Sequence, residues 1–122
     1  MILIAEDNES MRRMIRSLIE DIDPEIVECC DGGEAIDAYE TNKPGFVLMD
    51  ISMLPIDGLT ASKEILRRDP LAKIIVVTQL QDAHTRDAAM KLGAFGFVGK
   101  DNLMSLRKLL AEKPEKGQAG IG

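Results

Sequence analysis

Two adjacent cysteines, one histidine and no tryptophan are all that 122 residues offer of the types that most often build metal, redox or stacking sites. Cys29 and Cys30 are neighbours, which suits neither a structural disulfide nor a CxxC zinc or redox pair. They close the run Ile26-Val27-Glu28, and the expectation is two reduced thiols near a strand end. The single histidine, His84, falls in a helical stretch and is expected on its exposed side, without a catalytic role. No apolar stretch approaches the length of a membrane span, and no N-terminal segment reads as a signal peptide. A cytoplasmic chain without membrane contact is therefore expected. Basic residues number 15 against 21 acidic ones, and a net charge of −6 argues against nucleic-acid binding, which needs clustered Lys and Arg.

What is present is regular. Apolar residues make up 45% and charged residues 30%, the balance of an ordinary globular protein of one domain. Four short apolar runs each lead into a polar or charged residue. Ile2–Ala5 leads into Glu6-Asp7, Phe46–Met49 into Asp50, Ile74–Val77 into Thr78, and Phe95–Val98 through Gly99 to Lys100. Such runs, separated by helical stretches, read as buried parallel strands. Glu25–Cys29 is the remaining strand. Between them, Met11, Met14, Ile15, Leu18, Ile19 and Ile22 recur at helical spacing, with Ser10 as the expected N-cap and an end near Asp21. Further helices are expected after Asp31-Gly32-Gly33, from Asp57-Gly58 to Asp69-Pro70, from about Ala83 to Leu92 with Gly93 as its stop, and from about Asn102 to Glu112. The pattern is (βα)5, an α/β doubly wound sheet with helices on both faces. Residues 1–112 would form it. Residues 113–122, with almost nothing to bury, read as a flexible tail or the start of a linker.

Parallel strands gather their carboxyl ends on one sheet edge, where open α/β sheets bind ligands. Glu6, Asp7 and Asp50 would repel one another there. A cluster of oxygen ligands without His or thiolate suits a hard divalent cation such as Mg2+. Lys100 leaves the cluster at about −2, matching one such ion. With metal present a carboxylate can attack phosphorus as a nucleophile. The new phosphoryl oxygens would find Mg2+, the Lys100 ammonium and the Thr78 hydroxyl. Asp50 is the best-placed nucleophile, because strand three lies between strands one and four.

Glu6-Asp7, Asp50, Thr78 and Lys100, in this order and at these strand ends, resemble the receiver domain of two-component response regulators, of the chemotaxis-regulator type. Met11-Arg12-Arg13, the segment from Asp50 to Asp57-Gly58 and Lys91-Leu92-Gly93-Ala94 fit as well. The resemblance implies a flavodoxin-like sheet of order 2-1-3-4-5 and a phosphoacceptor at Asp50. It implies Mg2+ held by Asp7, Asp50 and the backbone carbonyl of Ser52, with Glu6 acting through water. Thr78 and Lys100 would bind the phosphoryl group, and Phe97 would be the switch aromatic paired with Thr78. The implied partners are a histidine kinase or histidine phosphotransfer protein docking near helix one. An output protein, or an output domain elsewhere in the polypeptide, would read helix four, strand five and helix five. The state would be a monomer or a phosphorylation-dependent dimer.

Some positions depart from the family pattern. Leu54 stands where Pro is usual, with Pro55 next. Gln79 follows the switch Thr, where a small residue usually leaves a gate for the phosphodonor, so it is expected to govern access. Asp101 follows Lys100 in place of Pro, as in many receivers joined to helix-turn-helix output domains. Two alternatives belong to other classes. A phosphohydrolase of the haloacid dehalogenase type would want an acid at Ser52, which argues against it. A pseudo-receiver would bind proteins without being phosphorylated. Met11, Met14, Met49, Met53, Met90 and Met104 read mostly as core filler. Arg12 and Arg13 read as solvated charges near the site, within reach of a partner.

Overall fold

The apolar runs form five parallel strands and the amphipathic ones five α-helices in the computed structural model, which describes residues 1–79 and 83–111. In chain order these are β1 (Ile2–Ala5), α1 (Glu9–Ile19), β2 (Ile26–Cys29), α2 (Gly32–Asn42), β3 (Phe46–Asp50) and α3 (Gly58–Arg68). There follow β4 (Ile74–Thr78), α4 (Ala83–Leu92), β5 (Gly96–Gly99) and α5 (Ser105–Ala111), the last preceded by a 3-10 turn at Lys100–Asn102. The strand order is β2-β1-β3-β4-β5, every pair parallel, as expected. The expected tail at 113–122 lies outside the described residues.

Every residue of β1, β3 and β4 is buried, because helices cover both faces of the sheet. On one face Ile4, Leu48, Val77 and Val98 pack against Ile15 and Ile19 of α1 and Leu103, Leu106 and Leu110 around α5. On the other, Leu3, Val47, Met49 and Ile74 meet Ala35 and Tyr39 of α2 and Ala61 and Ile65 of α3. Val76 and Phe97 extend that second face beneath Ala89 of α4. Side chains alternate along a strand, so this division tells which face each strand-end residue enters.

Two local expectations are corrected. The cap of α1 is Asn8, not Ser10: Asn8 has extended backbone (φ −82°, ψ 117°), and its Oδ1 accepts the Met11 N–H at 2.8 Å. Ser10 already lies inside the helix, where a side chain cannot cap. Among the methionines, Met49 and Met53 are buried, but Met14, Met90 and Met104 are 51%, 46% and 60% exposed. Met14 and Met90 each adjoin a buried residue, Ile15 and Ala89, and one residue turns a helix by about 100°. Asp31 and Asp57 cap α2 and α3 through the N–H groups of Glu34 and Thr60, and Gly93 ends α4 at φ 101°.

The sharpest packing constraint lies at the start of α3. Gly58 donates its N–H to the carbonyl of Ile51 at 3.0 Å, and a Cβ there would lie 1.9 Å from the backbone oxygen of Asp50. Neither neighbour is a flexible side chain that could give way. Gly58→Ala is therefore expected to destabilise the fold by about 3 kcal/mol, the upper end for overpacking. Urea denaturation checks this, and an unchanged midpoint would contradict so close an approach.

Candidate functional site

Parallel register assembles the site. Ala5 pairs with Met49, so Glu6 lies level with Asp50. Asp50 pairs with Val77, and Thr78 with Gly99, which places Lys100 just beyond. Glu6 follows Ile4 by two residues, Asp50 follows Leu48 and Lys100 follows Val98, so all three side chains enter the face covered by α1 and α5. Glu6 and Asp50 are 1% and 2% exposed, yet both carry carboxylates. Asp7, in the loop before α1, is exposed. One carboxylate oxygen from each of Glu6, Asp7 and Asp50 lies within 4.8 Å of the other two.

Lys100 Nζ is 2.9 Å from Glu6 Oε1 and 3.2 Å from Asp50 Oδ1. Both are close ionic contacts. Both Asp50 carboxylate oxygens are buried, and among the described residues neither has a hydrogen-bond partner of good geometry. One cation thus faces two buried anions and a third exposed one. Burial pushes the Asp50 carboxyl above its ordinary value against the pull of Lys100, and it does the same to Glu6. Burial would push Lys100 down, but the two carboxylates outweigh it and hold the ammonium above its ordinary value. An acidic centre short of positive charge, with unpartnered oxygens at its heart, fits a hard divalent cation.

The site opens into a cavity of about 320 Å³ lined by Glu6, Asp7, Asp50, Ser52, Gln79 and Lys100, all anticipated from the sequence. Asn8 and Met11 line it too and were missed. Asn8 donates its backbone N–H to Glu6 Oε2 at 3.1 Å, fixing that carboxylate from below α1. Asn8 as a good N-cap type just before the apolar helical run was the available signal.

Thr78 and Phe97 stand apart from this group. Thr78 is fully buried but does not line the cavity. It follows Val76 by two residues, and so shares the α4 face with Phe97 rather than the face of Asp50. Phe97 is half-buried, with the Arg86 guanidinium 5.5 Å over its ring.

Arg12 is not the solvated charge expected from the sequence. Its side chain is only 15% exposed. Nε donates to Glu28 Oε1 at 2.9 Å and Nη1 donates to the backbone oxygen of Glu6 at 2.8 Å. Arg13 is exposed and pairs with Glu9. Cys29 is buried and its thiol is pushed up to about 12 by burial, so it stays protonated and inert; Cys30 is exposed, and both are free. His84 is exposed, as expected.

A buried aspartate ending the third of five parallel strands, beside an acidic pair and a strand-end lysine, defines a class of signalling module. The chain belongs to the response regulator receiver domain family, whose model matches residues 2–111. Among known proteins it is similar to the chemotaxis protein CheY of Listeria monocytogenes, 38% identical over 100 residues covering 81% of this chain and 84% of that protein. The chemotaxis protein CheY of Thermotoga maritima is equally similar, 38% over 100 residues, covering 81% and 83%. Among solved structures, a two-component response regulator of the LuxR family from Aurantimonas superposes with a TM-score of 0.80 at 28% identity, covering 96% of this chain and 91% of that one. No helix among the described residues is long and apolar enough to cross a membrane.

The unbalanced charge has a measurable consequence in the metal-free protein. A carboxyl group whose folded-state pKa is raised stabilises the fold below its unfolded value, and that contribution is lost as pH rises through the folded value. At pH 7 the ionised Asp50 therefore opposes folding. Asp50→Asn, which leaves Lys100 its contact with Glu6, is expected to raise stability by about 1 kcal/mol, or about 4 °C. The gain should shrink as the solution is acidified and wild-type Asp50 takes up its own proton. Thermal melts of both proteins from pH 4 to pH 8 test this, and a gain that grows toward acid pH would contradict it.

Proposed function

We propose that this receiver domain is a phosphorylation-controlled switch whose phosphoacceptor is Asp50. What carries this reading is the Asp50 carboxylate itself: buried at the strand end, lining the cavity and 3.2 Å from the Lys100 ammonium. In the transfer step a carboxylate oxygen of Asp50 attacks the phosphorus of a phosphohistidine. The P–N bond breaks, its electron pair leaves on the imidazole nitrogen, and an aspartyl phosphate remains. Lys100 faces the incoming phosphoryl oxygens and offsets their charge. Asp7, Asp50 and the backbone carbonyl of Ser52 would hold Mg2+, with Glu6 acting through water. When bound, that ion supplies the charge neutralisation which three carboxylates and one ammonium lack.

Thr78 would then turn from the α4 face toward the phosphoryl group, and Phe97 would take up the space released. This repacks α4, β5 and α5, the surface offered to an output protein or to an output domain elsewhere in the polypeptide. The phosphodonor would be a histidine kinase or a histidine phosphotransfer protein approaching the cavity from the α1 side. Water would release the phosphoryl group slowly, so turnover of small substrates is not its role. The receiver unit is taken as residues 1–112, in the cytoplasm.

Intact mass after incubation with acetyl phosphate and Mg2+ tests the acceptor. Wild type should gain one phosphoryl group, and Asp50→Asn none. No gain with acetyl phosphate or with phosphohistidine donors would make the chain a binding module of the same fold. Gln79, exposed at the rim of the cavity, obstructs both donor and water. Gln79→Ala should therefore speed both gain and loss of the phosphoryl group severalfold, as a time course of the same mass signal would show. Unchanged rates would free Gln79 of that role.

A further inference from the structure

Asp7 is the weakest-supported member of the acidic centre. It is exposed, and no hydrogen bond or ion pair reaches it among the described residues. Its direction is set by the peptide joining it to Glu6, and that peptide is held from outside the cavity. The peptide before it, between Ala5 and Glu6, is fixed by the Glu6 N–H, which donates to the Cys29 carbonyl at 3.0 Å. The Glu6 carbonyl lies past the end of β1, beyond the last ladder pair, Ala5 with Met49. Its donor is Arg12 Nη1, at 2.8 Å.

We propose that Arg12 is a positioning residue of the metal site, aiming Asp7 through the Glu6 carbonyl although it touches no ligand itself. The guanidinium is equipped for this, because its planar fork satisfies two acceptors at a fixed angle. Nε is anchored on Glu28 of β2, whose other carboxylate oxygen is gripped by Arg16 one turn further along α1. Burial would push the Glu28 carboxyl up, but Arg16 and Arg12 together hold it below its ordinary value, so the anchor stays ionised at neutral pH. Glu28 pairs with Ile4 in the sheet register, two residues before Glu6. The edge strand, helix α1 and the metal-binding loop are thereby joined through one side chain. Groups that orient metal ligands without binding the ion commonly matter to affinity nearly as much as the ligands do.

This inference rests on the Mg2+ reading of Glu6, Asp7 and Asp50, and the experiment separates the two. MgCl2 is titrated into 15N-labelled wild type, Arg12→Lys and Arg12→Met, following the backbone amide shifts of Asp7 and Asp50, with thermal midpoints recorded alongside. The expected result is affinity about tenfold weaker in both variants. The methionine variant makes the test discriminating. Removing a positive charge near an acidic centre would by itself tighten Mg2+ binding, whereas losing the aim of Asp7 weakens it. Arg12→Lys keeps the charge but cannot span both acceptors, and it carries the comparison if Arg12→Met does not fold. Unchanged affinity in the folded variants, tighter binding in Arg12→Met, or a lowered thermal midpoint with wild-type affinity would overturn the proposal and leave Arg12 a structural staple. Absence of any shift in wild type would overturn the metal reading, and this inference with it.

Discussion

Two carboxylates closed off from water around a single ammonium are the constraint on which the rest of this structure depends. Glu6 and Asp50 lose nearly all solvation, and Lys100 offsets only part of that cost. A fold selected for stability alone would neutralise or replace one of them. The buried, apolar strands β1, β3 and β4 make the arrangement tolerable, because their packing holds the strand ends where the charges stand. The same packing leaves three carboxylates facing one ammonium, a balance that a bound cation would complete.

Much of this was legible before any coordinates. A buried parallel strand is short, apolar and ends abruptly, so the residue after the run marks the sheet edge. Glu6, Asp7, Asp50 and Lys100 could be brought together from that fact, and the family pattern added the strand order. Side-chain direction at a strand end was harder to read. Thr78 belongs to the same edge as Asp50 but enters the opposite face, and counting residues along a run whose exact start is uncertain cannot decide that.

Helix surfaces were the other blind spot. Arg12 looked like one of several charges on α1, since Glu28 is 16 residues away and the Glu6 carbonyl lies on the far side of the loop before the helix. Met14 and Met90 satisfied a helical spacing rule that is broader than the stripe a helix buries. The α1 cap is Asn8 rather than Ser10, and which residue caps depends on where the chain leaves the loop. In each case the missing information was long-range or depended on a boundary of one or two residues.

Asp50 and Thr78 end adjacent strands, and because Asp50 pairs with Val77, the alternation of side chains assigns Thr78 to the opposite side of the sheet. The sheet is a partition one peptide thick, with the proposed chemical event on one side and the aromatic Phe97 on the other. Neighbouring strands are only about 4.8 Å apart. A message crossing at that point needs no chain of intermediaries through the core. Under the proposed function it would need only one hydroxyl able to look either way, and a partition thin enough for the turn of a single bond to be felt on the far side.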